Sequence, residues 1–171
     1  MVNHQLLEGK KGIIFGALDE RSIAWKVAER CQAEGAQFTL SNAPVALRFG
    51  TIVQLAKKYD LEIVPADATS MPDLENVFIK SMEILGGKVD FVLHSIGMSP
   101  NMRNGNHYTA LNYKHYHKTL DISAMSLHKT LQTAMKLDAI NQWGSVVALT
   151  YIGAQRVFPD YNDMSDAKAM L

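Results

Sequence analysis

The sequence has a single cysteine, Cys31, in 171 residues, so no disulfide can close within the chain. That usage fits a reducing cytoplasm. An excess of either charge is also missing: seventeen Lys and Arg balance seventeen Asp and Glu. This balance offers no broad electrostatic footprint for nucleic acid or an anionic membrane surface, though it leaves room for a local basic patch. No apolar run approaches the ~18 residues of a membrane span. The opening segment, Met1 to Lys11, has no apolar stretch of the signal-peptide kind. We therefore expect a cytoplasmic protein with no nucleic-acid and no membrane partner. Metal ligation is not expected either. His115 and His117 are two apart and point to different helix faces, and no acid or cysteine joins them. Repeats, low-complexity segments and interdomain linkers are absent too.

What is present is an alternation of short apolar runs and longer helical patterns. Gly12–Phe15 reads as a first strand ending at Gly16. From Ser22 the period lengthens, with Ile23, Val27 and Cys31 every four residues and Ala24 and Ala28 beside them, until Gly35 ends the helix. Gln37–Ser41 is a second strand. A helix carrying Leu47, Ile52, Val53 and Ala56 follows, with Gly50 in its early part, and Leu61–Pro65 is a third strand. Ser70-Met71-Pro72-Asp73 opens the next helix as a capping box with proline in the first turn; Leu74, Val77, Phe78 and Met82 form its apolar face. Asp90–Ile96 is a fourth strand and Pro100–Tyr108 a polar loop. A long helix is predicted from Tyr113 to Ala139, with Leu120, Ala124, Leu127, Leu131 and Met135 on one stripe. Ser145–Thr150 is a fifth strand, and a last helix begins after Asp160 or Tyr161. Strict β/α alternation implies a parallel sheet covered on both faces. With right-handed crossovers this is a three-layer, doubly wound α/β fold, read as one domain over residues 1–171.

Such sheets bind ligands beyond the carboxyl ends of their strands. The turn from Gly16 to Ala24 follows strand one and opens a helix, whose free N–H groups and positive dipole end suit a pyrophosphate. Gly16 lets the backbone come close, and Ser22 can cap the helix or donate to phosphate. Alone this turn is equally well an ordinary strand–turn–helix, because G-x-G-x-x-G is absent. Strand two ends Ser41-Asn42-Ala43-Pro44, with no acid to read a ribose; Arg48 is the nearest base, so NADH and NADPH are not separated here. Asp67-Ala68 is placed to meet an adenine edge, although Asp67 also suits a turn cap. His94-Ser95-Ile96-Gly97 gives a tight passage for a nicotinamide ribose, with His94 read as a satisfied core histidine.

The chemical end is Thr150 to Ala154 followed by Pro159 to Lys168. Tyr161 and Lys168 are seven apart, two helical turns, which would set them on one face about 10 Å along the axis. A lysine there can hold ribose hydroxyls and raise the local positive potential, favouring the tyrosine as a donor to a developing oxyanion. Tyr151, at the tip of strand five, faces the same crevice. Singly, each is commonly a packing or surface residue; together, beside a candidate nucleotide turn, they point to chemistry.

These residues resemble the enoyl-acyl-carrier-protein reductase branch of the short-chain dehydrogenases/reductases. The resemblance rests on Gly16-x5-Ser22-Ile23-Ala24, Asp67, His94-Ser95-Ile96-Gly97, Asp121-Ile122-Ser123, Leu149-Thr150-Tyr151-x-Gly153-Ala154 and Pro159-x-Tyr161-Asn162-x-Met164-x3-Lys168. It covers essentially the whole chain. Its tyrosine-x6-lysine spacing is specific, because ordinary short-chain dehydrogenases have tyrosine-x3-lysine, and Met164 stands where that tyrosine would be. The resemblance implies a Rossmann domain that reduces the trans-2 double bond of an enoyl thioester on acyl-carrier protein, in fatty-acid synthesis. It implies NAD as cofactor, NADH in preference to NADPH, and a homotetramer built on the long helix and the Tyr161 helix. Catalysis would fall to Tyr161, donating to the enolate oxygen, with Lys168 holding the ribose and Tyr151 as the second tyrosine. Gly16, Ser22, Ile23, Ala43, Asp67, Ala68 and Ile96 would contact the dinucleotide. Ser99 through its backbone, with Tyr151, Tyr161 and Met164, would contact substrate. The chain stops three residues after Lys168, so the resemblance also implies a domain missing its last elements and substrate loop, and poor activity for this polypeptide alone. Two other readings stand beside it: an alcohol or ketone dehydrogenase, opposed by the x6 spacing, and a non-catalytic dinucleotide-binding module.

Overall fold

The computed structural model describes residues 4–171. Its sheet is parallel throughout, with strands β1 (Lys11–Phe15), β2 (Gln37–Ser41), β3 (Val89–His94) and β4 (Ile140–Ala148) in the order β2-β1-β3-β4. β1 pairs with β2 from Lys11↔Gln37 to Phe15↔Ser41, and with β3 from Gly12↔Phe91 to Phe15↔His94. The chain leaves β1 on one side for β2 and returns on the other for β3. That puts the topological switch point at the carboxyl end of β1.

The apolar run of β1 explains its central place. Strand side chains alternate between faces, so Ile14 packs with Ala24, Trp25, Ala28 and Leu55, while Ile13 and Phe15 pack with Leu74, Val77 and Phe78. The first group lies on α1 (Ile23–Ala33) and α3 (Ile52–Lys58), the second on α4 (Met71–Leu85). A strand apolar on both faces needs cover on both, and burying each such side chain contributes about 1.5–3 kcal/mol. The expected three-layer, doubly wound α/β fold is therefore present.

Several boundaries differ from the expectation. The helix after β2 is two helices, α2 (Pro44–Phe49) and α3, because Gly50 adopts an extended conformation between them. The third strand, Leu61–Pro65, is reduced to one bridge, Leu40↔Ile63. It runs along the edge of the sheet beside β2, and Pro65 has no N–H with which to extend a ladder. β3 begins one residue earlier and ends two earlier than expected, while β4 starts five residues earlier and stops at Ala148. The predicted loop after Ser99 begins with a one-turn helix, α5 (Pro100–Arg103), whose cap is the Ser99 hydroxyl accepting from Met102 N.

The long helix is the largest correction. It is α6 (Tyr113–Leu120), a π turn (Asp121–Met125) and α7 (Ser126–Lys136), ending three residues earlier than predicted. Its apolar stripe is only in part its buried face: Ala124 is buried and Leu120 and Leu127 half-buried, but Leu131 is 37% and Met135 78% exposed, while Thr119, Ser123, Ser126, Thr130 and Thr133 are buried. Hydroxyls can take these places because they find partners there: Thr119, Ser126 and Thr130 bond back to their own helix, at His115 O, Ile122 O and Ser126 O, while Ser123 bonds to Met98 and Thr133 to Met71.

Candidate active site

A cavity of about 420 Å³ opens at the switch point. Gly16 and Leu18 line it from the end of β1, Asn42 and Ala43 from β2, Asp67 and Ala68 from the edge segment, and Ile96 and Gly97 from β3. Gly16 is required there by contact as well as by conformation. Its φ is +91°, and a Cβ would lie 1.9 Å from Ser95 O. Only glycine lets the turns after β1 and β3 meet so closely.

The turn into α1 is built by Asp19, whose carboxylate accepts from the Arg21 and Ser22 amides at 2.9 Å. Ser22 does not cap the helix, contrary to one of its expected roles: its hydroxyl donates to Asp19 O at 2.7 Å and accepts from Leu18 N. The first-turn amides of α1 are thus left without a side-chain cap, the arrangement that receives an anion. Ser22 and the exposed Ile23 lie outside the cavity lining. Asn42 fixes the neighbouring turn, donating to Ala17 O and accepting from Ala43 N, both at 2.8 Å. Beyond Ala43 the wall is apolar, formed by Val45, Ala46 and Phe49, and Arg48 is not part of it. Asp67 is exposed and accepts from Thr69 N and Oγ1, the turn cap it could equally have been.

At the other end, α8 (Asp163–Met170) delivers Lys168 beside Gly97. Its ammonium donates to Leu149 O at 2.8 Å and to Ile96 O at 3.2 Å, and burial lowers its pKa. An ammonium has three donors, so one remains for a ligand. Tyr151 and Tyr161 pack with ring centroids 4.9 Å apart. Gly153 makes this possible, since a Cβ there would lie 2.8 Å from both rings. Burial, then the neighbouring Tyr151, raise the Tyr161 pKa, which keeps the phenol protonated and able to donate at neutral pH. The expected helical relation between Tyr161 and Lys168 does not hold. Asn162 has φ +48° and ψ −132°, so Tyr161 sits on a turn outside α8 and its direction is set by that turn and by Tyr151. Met164, four residues before Lys168, is buried at 4% exposure and carries no hydroxyl.

Ser99 is fully buried. Its hydroxyl is committed to α5 and to Asp163, 2.6 Å away, leaving only its backbone for any ligand. Asp163 itself was not anticipated from the sequence. It is fully buried and also accepts from Asn101 Nδ2 at 2.9 Å and Thr119 Oγ1 at 2.8 Å. It thereby joins α5, α6 and the start of α8. An aspartate in the first turn of a helix was the only available signal. Arg103 and Lys118, also unanticipated, are basic residues lining the cavity, from α5 and α6. Tyr116 donates to Asp166 at 2.7 Å, a bond that pushes its pKa up to about 12. His94, expected to be satisfied, is only half so: Nε2 meets Ser126 Oγ at 2.8 Å, while Nδ1 is buried without a partner.

Residues 16–171 match the family described as enoyl-(acyl carrier protein) reductase. A curated relative from Rhizobium meliloti (strain 1021), named enoyl-[acyl-carrier-protein] reductase [NADH] 1, is 34% identical over 97% of this chain and 60% of its own length. One from Aquifex aeolicus (strain VF5), with the name enoyl-[acyl-carrier-protein] reductase [NADH] FabI, is 32% identical over 97% of this chain and 61% of its own. Among solved structures, a FabI–NADH complex from Alistipes finegoldii superposes with a TM-score of 0.95 at 62% identity, covering 98% of this chain and 59% of that one. The chain therefore spans about three fifths of the length of the relatives it matches.

Proposed function

Because this chain belongs to the enoyl-(acyl carrier protein) reductase family, we propose that it carries the dinucleotide site and the catalytic tyrosines and lysine of an NADH-dependent enoyl-thioester reductase. Residues 1–171 are read as one dinucleotide-binding domain, since the strands share a single sheet. The observation that carries the reading is the meeting of Lys168 with Ile96 and Gly97, beside a cavity that Gly16 and Leu18 also line, from the turn that leads to the uncapped start of α1.

The residues present fit a dinucleotide. The α1 amides suit the pyrophosphate, Ala43 the adenosine ribose, and Asp67 and Ala68 the adenine, with Ile96 against the nicotinamide ribose. The apolar wall of α2 beyond Ala43 supports NADH over NADPH, because a 2′-phosphate would find no cation on it. The relatives from Rhizobium meliloti and Aquifex aeolicus, with NADH in their names, point the same way. Bound there, the dinucleotide supplies a hydride to the β-carbon of a trans-2-enoyl thioester. Tyr161 donates its hydrogen bond to the thioester oxygen as enolate charge develops there, and a proton taken up at the α-carbon completes the reduction. Lys168 uses its third donor on ribose hydroxyls. Tyr151, Met164 and the Ser99 backbone border the acyl group.

The substrate carrier in this reading is acyl-carrier protein, in fatty-acid synthesis, and the setting is the cytoplasm. No described helix is long and apolar enough to cross a membrane. A homotetramer belongs to the same proposal, supported by Leu131 and Met135 standing exposed on α7. Loss of NADH absorbance on adding crotonyl thioester tests the activity. Turnover of ketones but not of the enoyl thioester would overturn it in favour of an alcohol or ketone dehydrogenase.

A further inference from the structure

His94 lies at the carboxyl end of β3 with its side chain fully buried, and the proposed reaction gives it no part. Its surroundings do. The Ser126 N–H bonds to Asp121 O, five residues back, which is the defining bond of the π turn. The carbonyl passed over is that of Ile122, and Ser126 Oγ donates to it at 2.6 Å. A hydroxyl has one hydrogen, so toward His94 the same oxygen can only accept. The proton of the imidazole therefore sits on Nε2, and His94 donates to Ser126 across 2.8 Å.

The π turn held in this way reaches the cofactor cavity at three places. Ser123 Oγ accepts from Met98 N at 3.0 Å, and Met98 and Ile122 both line the cavity. Asp121 accepts from Lys129 Nζ at 2.7 Å, and the same ammonium donates to the O of Thr69, which also lines the cavity. A π turn inserts one residue into an α-helix. Relaxation to ordinary α geometry would rotate Ser123 away from Met98 by about 100°.

We infer that His94 is a positioning residue for the dinucleotide cavity: by donating to Ser126 it holds the π turn of residues 121–125, and through Ser123 and Ile122 it fixes the Gly97–Met98 wall. The inference rests on the cofactor reading above, but its structural half is separable from it. The test compares His94→Leu, His94→Gln, Ser126→Ala and the Leu/Ala double variant by NADH titration and by amide hydrogen exchange at residues 121–126. Loss of one buried hydrogen bond predicts about tenfold weaker NADH binding for the Leu and Ala variants. Both remove the His94–Ser126 bond, and Ser126→Ala also removes the bond to Ile122 O, so the double variant should be no weaker than Ser126→Ala alone. His94→Gln, which keeps a donor, should stay within about twofold of the parent. Faster exchange at residues 121–126 should accompany every loss of affinity.

Additive effects, a glutamine variant as weak as the leucine one, or a leucine variant with unchanged affinity and exchange would each overturn the inference. If the leucine variant does not fold, the smaller Ser126→Ala change decides alone. If the parent protein does not bind NADH, the cofactor reading fails instead. The exchange measurement then still decides: unchanged protection in both single variants overturns the clamp, and faster exchange supports it.

Discussion

The Lys168 ammonium donates to the Leu149 carbonyl at 2.8 Å, so the side chain that would hold a ribose also ties α8 to the chain just beyond β4. Binding and structure are thus joined in one residue. We predict that Lys168→Met weakens NADH binding by at least about tenfold and lowers stability by about 1–3 kcal/mol, because two carbonyls lose their donor. Fluorescence titration and denaturant melts measure the two effects. A variant of unchanged stability and affinity would contradict the placement of Lys168.

Tyr161 and Tyr151 make a separate prediction, because neither carries the fold in the way Lys168 does. Tyr161→Phe removes one oxyanion donor and should lower kcat about 100- to 1000-fold, the usual range for such a group, with NADH affinity nearly unchanged. Gly153→Ala should also lower kcat, since its Cβ would meet both rings at 2.8 Å. A Tyr161→Phe enzyme with parental kcat would remove Tyr161 from the chemistry.

His94 gives stability a pH dependence. Burial, then the positive charge of Lys168, lower its pKa from 6.5 to about 4. The unfolded chain therefore binds a proton across this window that the folded chain does not. The contribution is fully present above about pH 6.5 and is lost as pH falls toward 4, by about 3 kcal/mol in all. His94→Gln should flatten that slope. Urea melts of both proteins at about pH 7.5 and about pH 5 check it, and equal slopes would contradict the assignment to His94.

Asp163 accepts from Ser99, Asn101 and Thr119 inside the protein. Asp163→Ala strands these donors, each at a cost of about 1–3 kcal/mol before relaxation, so a net loss of about 3 kcal/mol is expected in a denaturant melt. A loss below about 1 kcal/mol would mean that water replaces the carboxylate.

The sequence made the sheet legible where burial is simple. Ile13, Ile14 and Phe15 are covered on both sides and read as a strand, and the face of α4 repeats with helical period. It misled where a hydroxyl does the work of an apolar group. Thr119, Ser123, Ser126 and Thr130 lie on the buried face of the long helix, yet the bonds that satisfy their hydroxyls are invisible to hydrophobic periodicity, and so was the π turn among them. The turns that line the cavity were visible through Gly16 and through Ile96 and Gly97. Tyr161 and Lys168 were visible through spacing, but the positive-φ, non-helical backbone of Asn162 breaks the helical phase that spacing assumed. Asp163 gave only the weak signal of a first-turn aspartate, because its partners come from positions 44 to 64 residues away.

The most direct test of the central claim is to follow the hydride. Crotonyl thioester reduced with NADH deuterated at the transferable position should give a butyryl thioester with deuterium on the β-carbon, read by mass spectrometry and NMR. Deuterium at any other carbon, or none in a product formed by a protein that binds NADH, would contradict the account.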